Sequence, residues 1–451
     1  MAFAWRAYLL DSLILISICI IFGLPDAFAL SSTEDLVPVR RDRKSKFVIF
    51  GARHGNRNPT KFLNESSPYY GFEGSLELTA LGKRQAFALG RQIRNFVHGL
   101  LSSNYMPAEA VFYTSSASRT QMTLQLALAG MYPPRAFALW NLALDWSPVP
   151  YTIDDPMLRM YSVTCPASNH VWKPIDDESL PSIQEIKEKN QALLDLMTEN
   201  TGWEPTIHSA ADLADNINLF KLHNASLPSW LLDENVTDSI GPTTAQQFLQ
   251  FQELPQIECA NYAPCRSLMA GVWLLKLADL LDSVSNGTDI SPKVVGFVSH
   301  TEIVLSAMID MGLVADRLET TAGFVLEVRD IPEWEARLLM HSPIEIDDHV
   351  IHKATYSDDL RNLTSTGDWI PVEDFVMLLR SKAINNWPVA CGLETQDTAD
   401  VPSETDNLIV EVLEAARSEK VSISTTTNAA NLIAPSFLVP AIMTVVLSLL
   451  C

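Results

Sequence analysis

Two arginines and a histidine lie close together, directly after a strongly apolar segment. The run is Arg53-His54-Gly55-Asn56-Arg57, and it follows Phe47–Phe50. A guanidinium presents a planar fork of donors that matches the oxygens of a phosphate, and its charge does not titrate at working pH. A neutral imidazole between two such groups could attack the bound phosphorus. These residue types at this spacing predict an oxyanion site that contains a nucleophile.

A buried strand is expected to position this cluster. Phe47–Phe50 is apolar and partly β-branched, which is typical of a strand inside a core. Gly55 allows a sharp bend or a close approach to a ligand, and Pro59 fixes the direction in which the chain leaves. An isolated motif of this kind is more often a solvated basic turn, but its place after a buried strand favours a ligand-binding loop.

The same order of elements recurs further along the chain. Ala110–Thr114 is expected to be a strand, Ser115–Arg119 a polar turn, and Thr120–Ala129 a helix. In a parallel α/β sheet such turns collect at one edge, and ligands bind there. Arg119 is therefore a candidate third arginine for the anion.

A third strand, Lys293–Ser299, ends in His300-Thr301-Glu302 and runs into a helix expected over Ile303–Met311. A histidine and an acid at such a junction again suit a site at the sheet edge. Glu302 has two interpretations: a carboxyl group that exchanges a proton with a ligand, or a first-turn residue favoured by the helix dipole. We prefer the functional interpretation.

Two of these segments resemble a known family. Arg53–Pro59 resembles the signature of the histidine acid phosphatases, the secreted and lysosomal branch of the phosphohistidine phosphatase superfamily. The run from Arg119 to Pro134, which ends in Ala-Gly-Met-Tyr-Pro-Pro, resembles a second block of that family. The resemblance covers roughly Lys46 to Gly392. It implies an α/β fold with a phosphoglycerate-mutase-like central sheet flanked by helices, and with a largely helical cap insert.

The resemblance also implies roles for the residues that match. His54 would attack phosphorus and form a phosphohistidine, and Glu302 would protonate the leaving alcohol and then activate water. The phosphate would be held by Arg53, Arg57, Arg119 and His300. In this family an Asp usually follows the second His directly. This chain has Thr301 there, and its Glu302 looks like the His-Ala-Glu version of the inositol-polyphosphate phosphatase branch.

The function that the resemblance implies is a secretory-pathway acid phosphatase that hydrolyses phosphate monoesters without a metal or other cofactor. One alternative is a phytase-like inositol-polyphosphate phosphatase, and another is a catalytically weak surface or binding homologue. His349 and His352 lie beside Asp347 and Asp348, a weak metal pattern without a third ligand motif, so a metal site is not expected.

The charge of the chain limits its partners. The formal net charge is −22 at pH 7, which argues against nucleic acid or an anionic membrane surface as a partner. In so acidic a protein a local group of arginines at a strand end requires a reason. Binding an anion, here the phosphate of a monoester substrate, supplies one.

The chain is predicted to divide into a core and an insert. The core covers 30–139 and 287–394, and the insert covers 140–286. The core should also contain a helix from Thr79, as N-cap, to about Val97. Further elements are expected from periodicity: helices over Ile183–Met197, Ala210–Leu222, Leu268–Val284 and Val372–Leu379, and a strand pair over Phe324–Val328 and Ala336–Met340.

The N-terminus has the pattern of a signal peptide. Arg6 precedes the apolar run Leu13–Phe22, and Ala27-Phe28-Ala29 supplies the small residues of a cleavage site. Cleavage is expected after Ala29, which removes residues 1–29, and a membrane anchor is the alternative. Sequons begin at Asn64, Asn224, Asn235, Asn286 and Asn362, so a glycoprotein is expected.

The cysteines of the body are Cys165, Cys259, Cys265 and Cys391. An even number in a secretory context predicts two disulfides, and the sequence leaves all three pairings open. The family resemblance favours Cys165 with Cys391, because that family links its central insert to the region near the C-terminus. Cys259 with Cys265 would then close a small local loop.

The C-terminal region differs from the rest. A polar stalk covers 395–431, and an uncharged apolar tail covers 432–451. The tail fits a GPI-attachment signal, with Ser422, Ser424 or Asn428 as the attachment residue. A single spanning anchor is the alternative. Attachment of the ectodomain to the cell surface or the lysosomal membrane is expected, and a homodimer remains open.

Overall fold

The computed structural model describes residues 36–63, 71–232, 243–287 and 290–393. The expected signal peptide, stalk and C-terminal tail lie outside the described residues, as do Asn64 and Asn235. These predictions therefore rest on the sequence.

One mixed sheet lies at the centre of the described structure. Its strands are β1 (Ser45–Arg53), β2 (Ala110–Thr114), β3 (Thr152–Ile153), β4 (Val294–Ser299), β5 (Gly323–Arg329), β6 (Glu335–Glu345), β7 (Asp348–Lys353) and β8 (Ile370–Pro371). The spatial order is β3-β2-β4-β1-β5-β6-β7, and β8 pairs with β6. Strands β3, β2, β4 and β1 are parallel, whereas β5, β6 and β7 continue the sheet antiparallel. The expectation of a parallel sheet therefore holds for the half that contains β1.

Helices cover the sheet and form most of the insert. They are α1 (Ala80–Phe96), α2 (Ser118–Met131), α3 (Asp155–Leu158), α4 (Pro166–Asp176), α5 (Pro181–Lys189), α6 (Gln191–Thr201), α7 (Ile207–Leu222), α8 (Ser229–Leu232), α9 (Thr244–Phe248), α10 (Leu254–Asn261), α11 (Ala263–Asn286), α12 (Thr301–Asp310), α13 (Asp358–Asn362), α14 (Val372–Lys382) and α15 (Trp387–Ala390). From α4 to α11 the described insert is entirely helical apart from its connections and one short 3-10 turn.

Strand β1 is apolar throughout because both faces of the sheet are covered. Phe47 and Ile49 point into one core cluster, together with residues of α11 and α12. Val48, Phe50 and Ala52 point into the opposite cluster, with residues of α1 and α2. A strand that is buried on both faces reads as a continuous apolar run, which is the pattern found in the sequence.

Most of the expected elements are confirmed, and two differ. Thr79 is the N-cap of α1 and accepts from Gly82 N, as predicted. Helix α2 begins before Thr120, so Arg119 lies in its first turn and not in the preceding loop. The helix expected over Ile183–Met197 is interrupted at Asn190. The Asn190 side chain donates to Ile186 O at 2.8 Å, and such local bonding by Asn competes with helix continuation.

The described residues contain two disulfides, and both predicted pairings are confirmed. Cys165 is bonded to Cys391, which ties α4 of the insert to the end of the described chain. Cys259 is bonded to Cys265 between α10 and α11.

The sequon residues Asn224, Asn286 and Asn362 are exposed. Within the described part of the chain, no helix has both the length and the apolar character needed to cross a bilayer.

Candidate active site

Neighbouring parallel strands bring the predicted site residues together. In the order β2-β4-β1, the carboxyl ends of all three strands lie at one edge of the sheet. Arg53 ends β1 and Ser299 ends β4. The backbone N–H of His54 donates to Ser299 O at 3.0 Å, so the loop after β1 is attached to the end of β4. This is the position at which α/β sheets bind ligands.

Polar side chains hold the loop after β1 in place. Gly55 N donates to Thr123 Oγ1 at 3.0 Å, and Asn56 N donates to Gln85 Oε1 at 2.9 Å. The hydroxyl of Thr79, besides capping α1, donates to Asn56 Oδ1 at 2.7 Å. The backbone N–H groups of Gly55 and Asn56 are thus satisfied by side chains of α2 and α1 and do not need a ligand to order them.

Two glycines allow this close packing. A Cβ on Gly55 would lie 2.5 Å from Gly82 O, and a Cβ on Gly82 would lie 2.1 Å from Asn56 O. Both distances are far below van der Waals contact. The loop therefore rests directly on the first turn of α1, backbone against backbone.

His54 is held as a neutral imidazole. Its Nδ1 lies 2.8 Å from Gly55 O, and because a carbonyl only accepts, Nδ1 carries the proton and Nε2 keeps the free lone pair. Burial, together with the charges of Arg119 and Arg53, lowers the pKa of His54 well below its ordinary value. The arrangement favours the neutral, nucleophilic form of the ring.

His300 is also neutral and connects two elements of the site. Its Nδ1 accepts from Arg119 Nη2 at 3.1 Å, so Nε2 carries the proton and donates to Ser115 Oγ at 3.0 Å. Burial and the charge of Arg119 lower the pKa of His300 well below its ordinary value. The rings of His54 and His300 are 5.6 Å apart, centroid to centroid.

A buried and a partly buried carboxylate pair with the arginines of the loop. Oε1 of Glu253 accepts from Arg53 Nη2 at 2.7 Å and from Arg57 Nη2 at 3.0 Å. Oδ2 of Asp215 accepts from Arg57 Nη1 at 2.8 Å. Both acids come from the helical insert, so the insert contributes directly to the charge balance of the site.

Glu302 lies in the first turn of α12 and is buried. Burial raises the pKa of its carboxyl, and a hydrogen bond with Tyr161 partly opposes that effect. Tyr161 also lies beside His300, with 6.0 Å between ring centroids. The guanidinium of Arg159 stacks on Tyr161 at 5.7 Å. Glu302 thus combines a raised pKa with a position beside the histidine pair.

A cleft of about 730 Å³ opens beside Glu302 and Tyr161. Its other walls come from the insert, including Trp172, Lys173, Asp176, Asp177 and His208. The cleft therefore gives solvent access to the side of Glu302 and Tyr161 that faces the insert.

The structure brings all the predicted site residues to this one edge of the sheet. They are His54, Glu302, Arg53, Arg57, Arg119 and His300. The sequence analysis did not identify Glu253, Asp215 or Tyr161. Each comes from the insert, and none stands in a local pattern that marks it, so only the tertiary contact identifies them.

The histidines of β7 make hydrogen-bonding contacts with β6. His349 Nε2 and His341 Nδ1 are 2.9 Å apart, and His352 Nε2 contacts Ser342 Oγ at 3.1 Å. Among the described residues, no three His, Cys, Asp or Glu side chains are grouped as ligands for a metal ion.

The arrangement is suited to one type of chemistry. Three guanidiniums surround a neutral imidazole with a free lone pair, and a carboxyl with a raised pKa lies nearby. Such a site can bind a phosphate group, present a nucleophile to it, and exchange a proton with a neighbouring oxygen.

Curated proteins with similar sequences include lysosomal and prostatic acid phosphatases. The lysosomal acid phosphatase of Xenopus laevis is 30% identical over 206 residues, which is 43% of this chain and 46% of that protein. In that match the chain spans about half the length of its relative. The lysosomal acid phosphatase of Rattus norvegicus is 23% identical over 387 residues, which is 83% of this chain and 86% of that protein.

Solved structures with a similar fold include phytases. The apo form of the Hafnia alvei phytase superposes with a TM-score of 0.57 at 15% identity, and the match covers 77% of this chain and 98% of that one. At this identity the likeness shows the fold alone. It supports the α/β architecture with a central sheet flanked by helices.

A family model described as histidine phosphatase superfamily (branch 2) matches residues 45–289, more than half of the chain. The matched region contains β1 with its arginine-histidine loop, α2 with Arg119, and the insert that carries Glu253. By this match the chain belongs to the histidine phosphatase superfamily, branch 2.

Proposed function

We propose that this protein hydrolyses phosphate monoesters through a phosphohistidine intermediate, as a histidine acid phosphatase. The observation that carries the proposal is the geometry of His54. One hydrogen bond to Gly55 O leaves Nε2 free, and the charges of Arg119 and Arg53 disfavour protonation of the ring. The names of the relatives, lysosomal and prostatic acid phosphatase, support the same activity.

In the first step, the lone pair of His54 Nε2 attacks phosphorus in line with the leaving oxygen. A P–N bond forms and the P–O bond to the alcohol breaks. Arg53, Arg57 and Arg119 offset the charge on the phosphoryl oxygens, while Glu302 gives its proton to the leaving oxygen. The raised pKa of Glu302 supports this role, because the acid form is the one needed at the start.

In the second step, the Glu302 carboxylate takes a proton from a water molecule as that water attacks phosphorus. A new P–O bond forms, the P–N bond breaks, and His54 Nε2 recovers its lone pair. Inorganic phosphate leaves, and both groups return to their initial states.

The test is an assay of the purified protein on an aryl phosphate and on phytate across a range of pH, combined with phosphate labelling of the enzyme. We expect turnover of the aryl phosphate and a label that survives base but is lost in acid, as a phosphohistidine is. Turnover without any labelled enzyme would contradict the covalent mechanism.

A phytase-like activity is the rival enzymatic function, favoured by the His300-Thr301-Glu302 pattern. The charge of the cleft beside Glu302 argues for simpler substrates. Lys173 is paired with Asp177 at 2.9 Å, and Asp176 adds a further negative charge to the wall. A leaving group that carries several phosphates would meet like charge there, so we expect phytate to be the poorer substrate.

A weakly active binding homologue is the second candidate. It is favoured by Glu253, whose carboxylate lies on the arginines that a phosphate would need. The labelling experiment distinguishes the two functions, because a binding homologue would retain phosphate without forming the covalent intermediate.

A secretory or lysosomal location is part of the proposal. The two disulfides support an oxidising compartment, and the exposed Asn224, Asn286 and Asn362 are open to glycosylation. Signal-peptide cleavage after Ala29 and attachment through the tail remain predictions from sequence. Release from membranes by phosphatidylinositol-specific phospholipase C would support the GPI anchor, and retention would favour a spanning helix.

A homodimer is proposed from an exposed apolar segment after α2. Phe137 is 91% exposed and Leu142 is 94% exposed, and Trp140 lies between them. Exposed apolar groups this close together are typical of an interaction surface. Light scattering should give a dimer for the wild type and a monomer for a Phe137→Ser, Leu142→Ser variant; a wild-type monomer would contradict it.

A further inference from the structure

Glu253 occupies the centre of the arginine cluster. Its Oε1 accepts from Arg53 Nη2 at 2.7 Å and from Arg57 Nη2 at 3.0 Å. Its Oε2 accepts from Thr301 Oγ1 at 2.9 Å. An oxygen shared between two guanidiniums makes the contacts that an oxygen of a bound phosphate would make.

The position of Glu253 is enforced by the backbone as well as by charge. The residue has φ +58°, in the left-handed region that a non-glycine side chain seldom adopts, and it lies directly before α10. It is 7% exposed. A backbone held in a sparsely populated region often marks a functional site, and here it directs a carboxylate from the insert at the loop after β1.

The terminal nitrogens of both arginines are already hydrogen-bonded while Glu253 is in place. Both terminal nitrogens of Arg53 are engaged, Nη1 with Leu318 O at 2.6 Å and Nη2 with Glu253. Those of Arg57 are engaged with Asp215, Asn58 O and Glu253. The Nε atoms of Arg53 and Arg119 are buried without a partner. A phosphate oxygen could therefore take the position that bridges Arg53 and Arg57 only if the carboxylate gives up its contacts.

We propose that the Glu253 carboxylate is a resident anion of the phosphate subsite, which a phosphate group displaces from Arg53 and Arg57 when it binds. This inference rests on the proposed function for the identity of the anion, and it makes Glu253 a residue that sets the affinity of the site.

Protonation does not remove the resident anion in the working pH range. Burial opposes ionisation of Glu253, but Arg53 and Arg57 outweigh it and hold the pKa of this carboxyl below its ordinary value. Asp215 faces Arg57 from the insert, and burial raises the pKa of its carboxyl. The carboxylate of Glu253 must therefore leave as an ion, by rotation of its side chain, and the incoming phosphate must replace its contacts.

The test compares the binding of inorganic phosphate to the wild type and to Glu253→Gln, measured by titration calorimetry without any substrate. The amide keeps the size of the side chain and one acceptor, but it removes the charge. We expect the dissociation constant for phosphate to fall about tenfold, which corresponds to about 1.4 kcal/mol. KM for an aryl phosphate should fall in parallel. An unchanged or weaker affinity would overturn the proposal, since a residue that merely orients the arginines would weaken binding when neutralised.

Glu258→Gln is the matched control. Glu258 is a buried glutamate of α10 whose carboxylate accepts from Ser182 Oγ, away from the site arginines. Its neutralisation should leave the dissociation constant for phosphate within about twofold of wild type, much less than the tenfold change expected for Glu253→Gln. An equal gain in both variants would assign the effect to overall charge and overturn the proposal.

Thr301→Val provides a second variant should Glu253→Gln not fold. It removes the hydroxyl that donates to Oε2, so the resident anion is held less firmly. The dissociation constant for phosphate should therefore fall about threefold, which is about half of the free-energy change of a tenfold fall. Unchanged or weaker binding in this variant would also count against the proposal.

Phosphate affinity and turnover together distinguish the resident anion from the proposed enzymatic activity. Tighter phosphate binding in Glu253→Gln, in a protein that shows no turnover of an aryl phosphate, would support the resident anion and contradict the proposed enzyme. Turnover by the wild type with no change in phosphate affinity would contradict the resident anion alone.

Discussion

The Nδ1 atom of His54 lies 2.8 Å from the carbonyl oxygen of Gly55, the next residue in the chain. This short-range contact decides the tautomer of the ring and therefore which nitrogen can act as a nucleophile. The loop that makes the contact is held by Thr123, Gln85 and Thr79, so the geometry is established before any ligand binds.

His54→Ala should abolish turnover, because among the described residues His54 alone has an imidazole nitrogen free and directed into the arginine cluster. We expect kcat to fall by more than ~10³-fold, the scale seen when a covalent nucleophile is removed. The base-stable label should disappear with it. His98→Ala, at an exposed histidine outside the site, is the control and should keep both. Near-normal activity in the His54 variant would rule out the mechanism.

Glu302→Gln should affect substrates according to their leaving groups. An alkyl phosphate needs a proton on its leaving oxygen, so its turnover should fall by ~10²-fold or more, whereas an activated aryl phosphate should lose far less. Equal losses on both substrates would assign Glu302 a structural role.

The pH profile provides an independent check on Glu302. Burial raises its pKa, so the acid form persists to higher pH than for an ordinary glutamate, and activity on alkyl phosphates should fall as pH rises through that raised pKa. The hydrogen bond from Tyr161 favours the ionised form. Tyr161→Phe should therefore shift the basic limb to higher pH, and a shift to lower pH would contradict this assignment.

Ser115→Ala should destabilise the fold and disturb Arg119. Ser115 Oγ accepts from His300 Nε2, and its loss leaves a buried donor unsatisfied at a cost of about 1–3 kcal/mol in the free energy of unfolding. Because the other ring nitrogen of His300 contacts Arg119, KM should rise as well. Urea denaturation and steady-state kinetics measure the two effects. A variant with wild-type stability would show that the hydrogen bond contributes nothing.

Gly82→Ala should displace the loop after β1. The added Cβ would lie 2.1 Å from Asn56 O and 2.7 Å from Asn56 N, and neither backbone atom can move without shifting the loop. We expect a loss of about 1–3 kcal/mol in stability together with a large loss of kcat. Gly367→Ala is the control: its φ is +63° but nothing lies within 4 Å, so it should lose stability and keep activity.

The buried histidine pair of the sheet predicts weaker stability in acid. His341 is fully buried, and burial lowers its pKa to about 4. Below the ordinary histidine pKa of about 6.5, this imidazole is protonated in the unfolded chain but stays neutral in the folded one. The free energy of unfolding therefore falls as pH drops from about 6.5 to 4.

His341→Gln should reduce this acid sensitivity. One such imidazole lowers the free energy of unfolding by about 2 kcal/mol between pH 7 and pH 5. The variant should lose less stability over that interval than the wild type does. Glutamine retains an N–H donor for Gly51 O, which His341 Nε2 now contacts at 2.9 Å. Guanidinium denaturation at both pH values measures the difference. The same pH dependence in wild type and variant would show that His341 is not the group responsible.

The sequence by itself determined the strands β1, β2, β4, β5 and β6, the first long helix and the arginine-histidine loop. Phe47–Phe50 is apolar because both faces of β1 are covered, and Thr79 marks the start of α1 through its own capping bond. These signals are local, since they depend on periodicity and on contacts within a few residues. The convergence of His54, Arg119 and His300 followed from the rule that parallel strands collect their carboxyl ends at one edge.

Only the tertiary structure decided which acids face those arginines. Glu253 is 200 residues from Arg53 in sequence, and it reaches the site through the packing of the insert. Its positive φ also could not be predicted from the neighbouring residues. The antiparallel half of the sheet was likewise set by long-range pairing. A single buried carboxylate does not alter the hydrophobic periodicity of its segment, so the sequence pattern does not reveal it. Its position depends on charged groups that the fold brings to it from elsewhere in the chain.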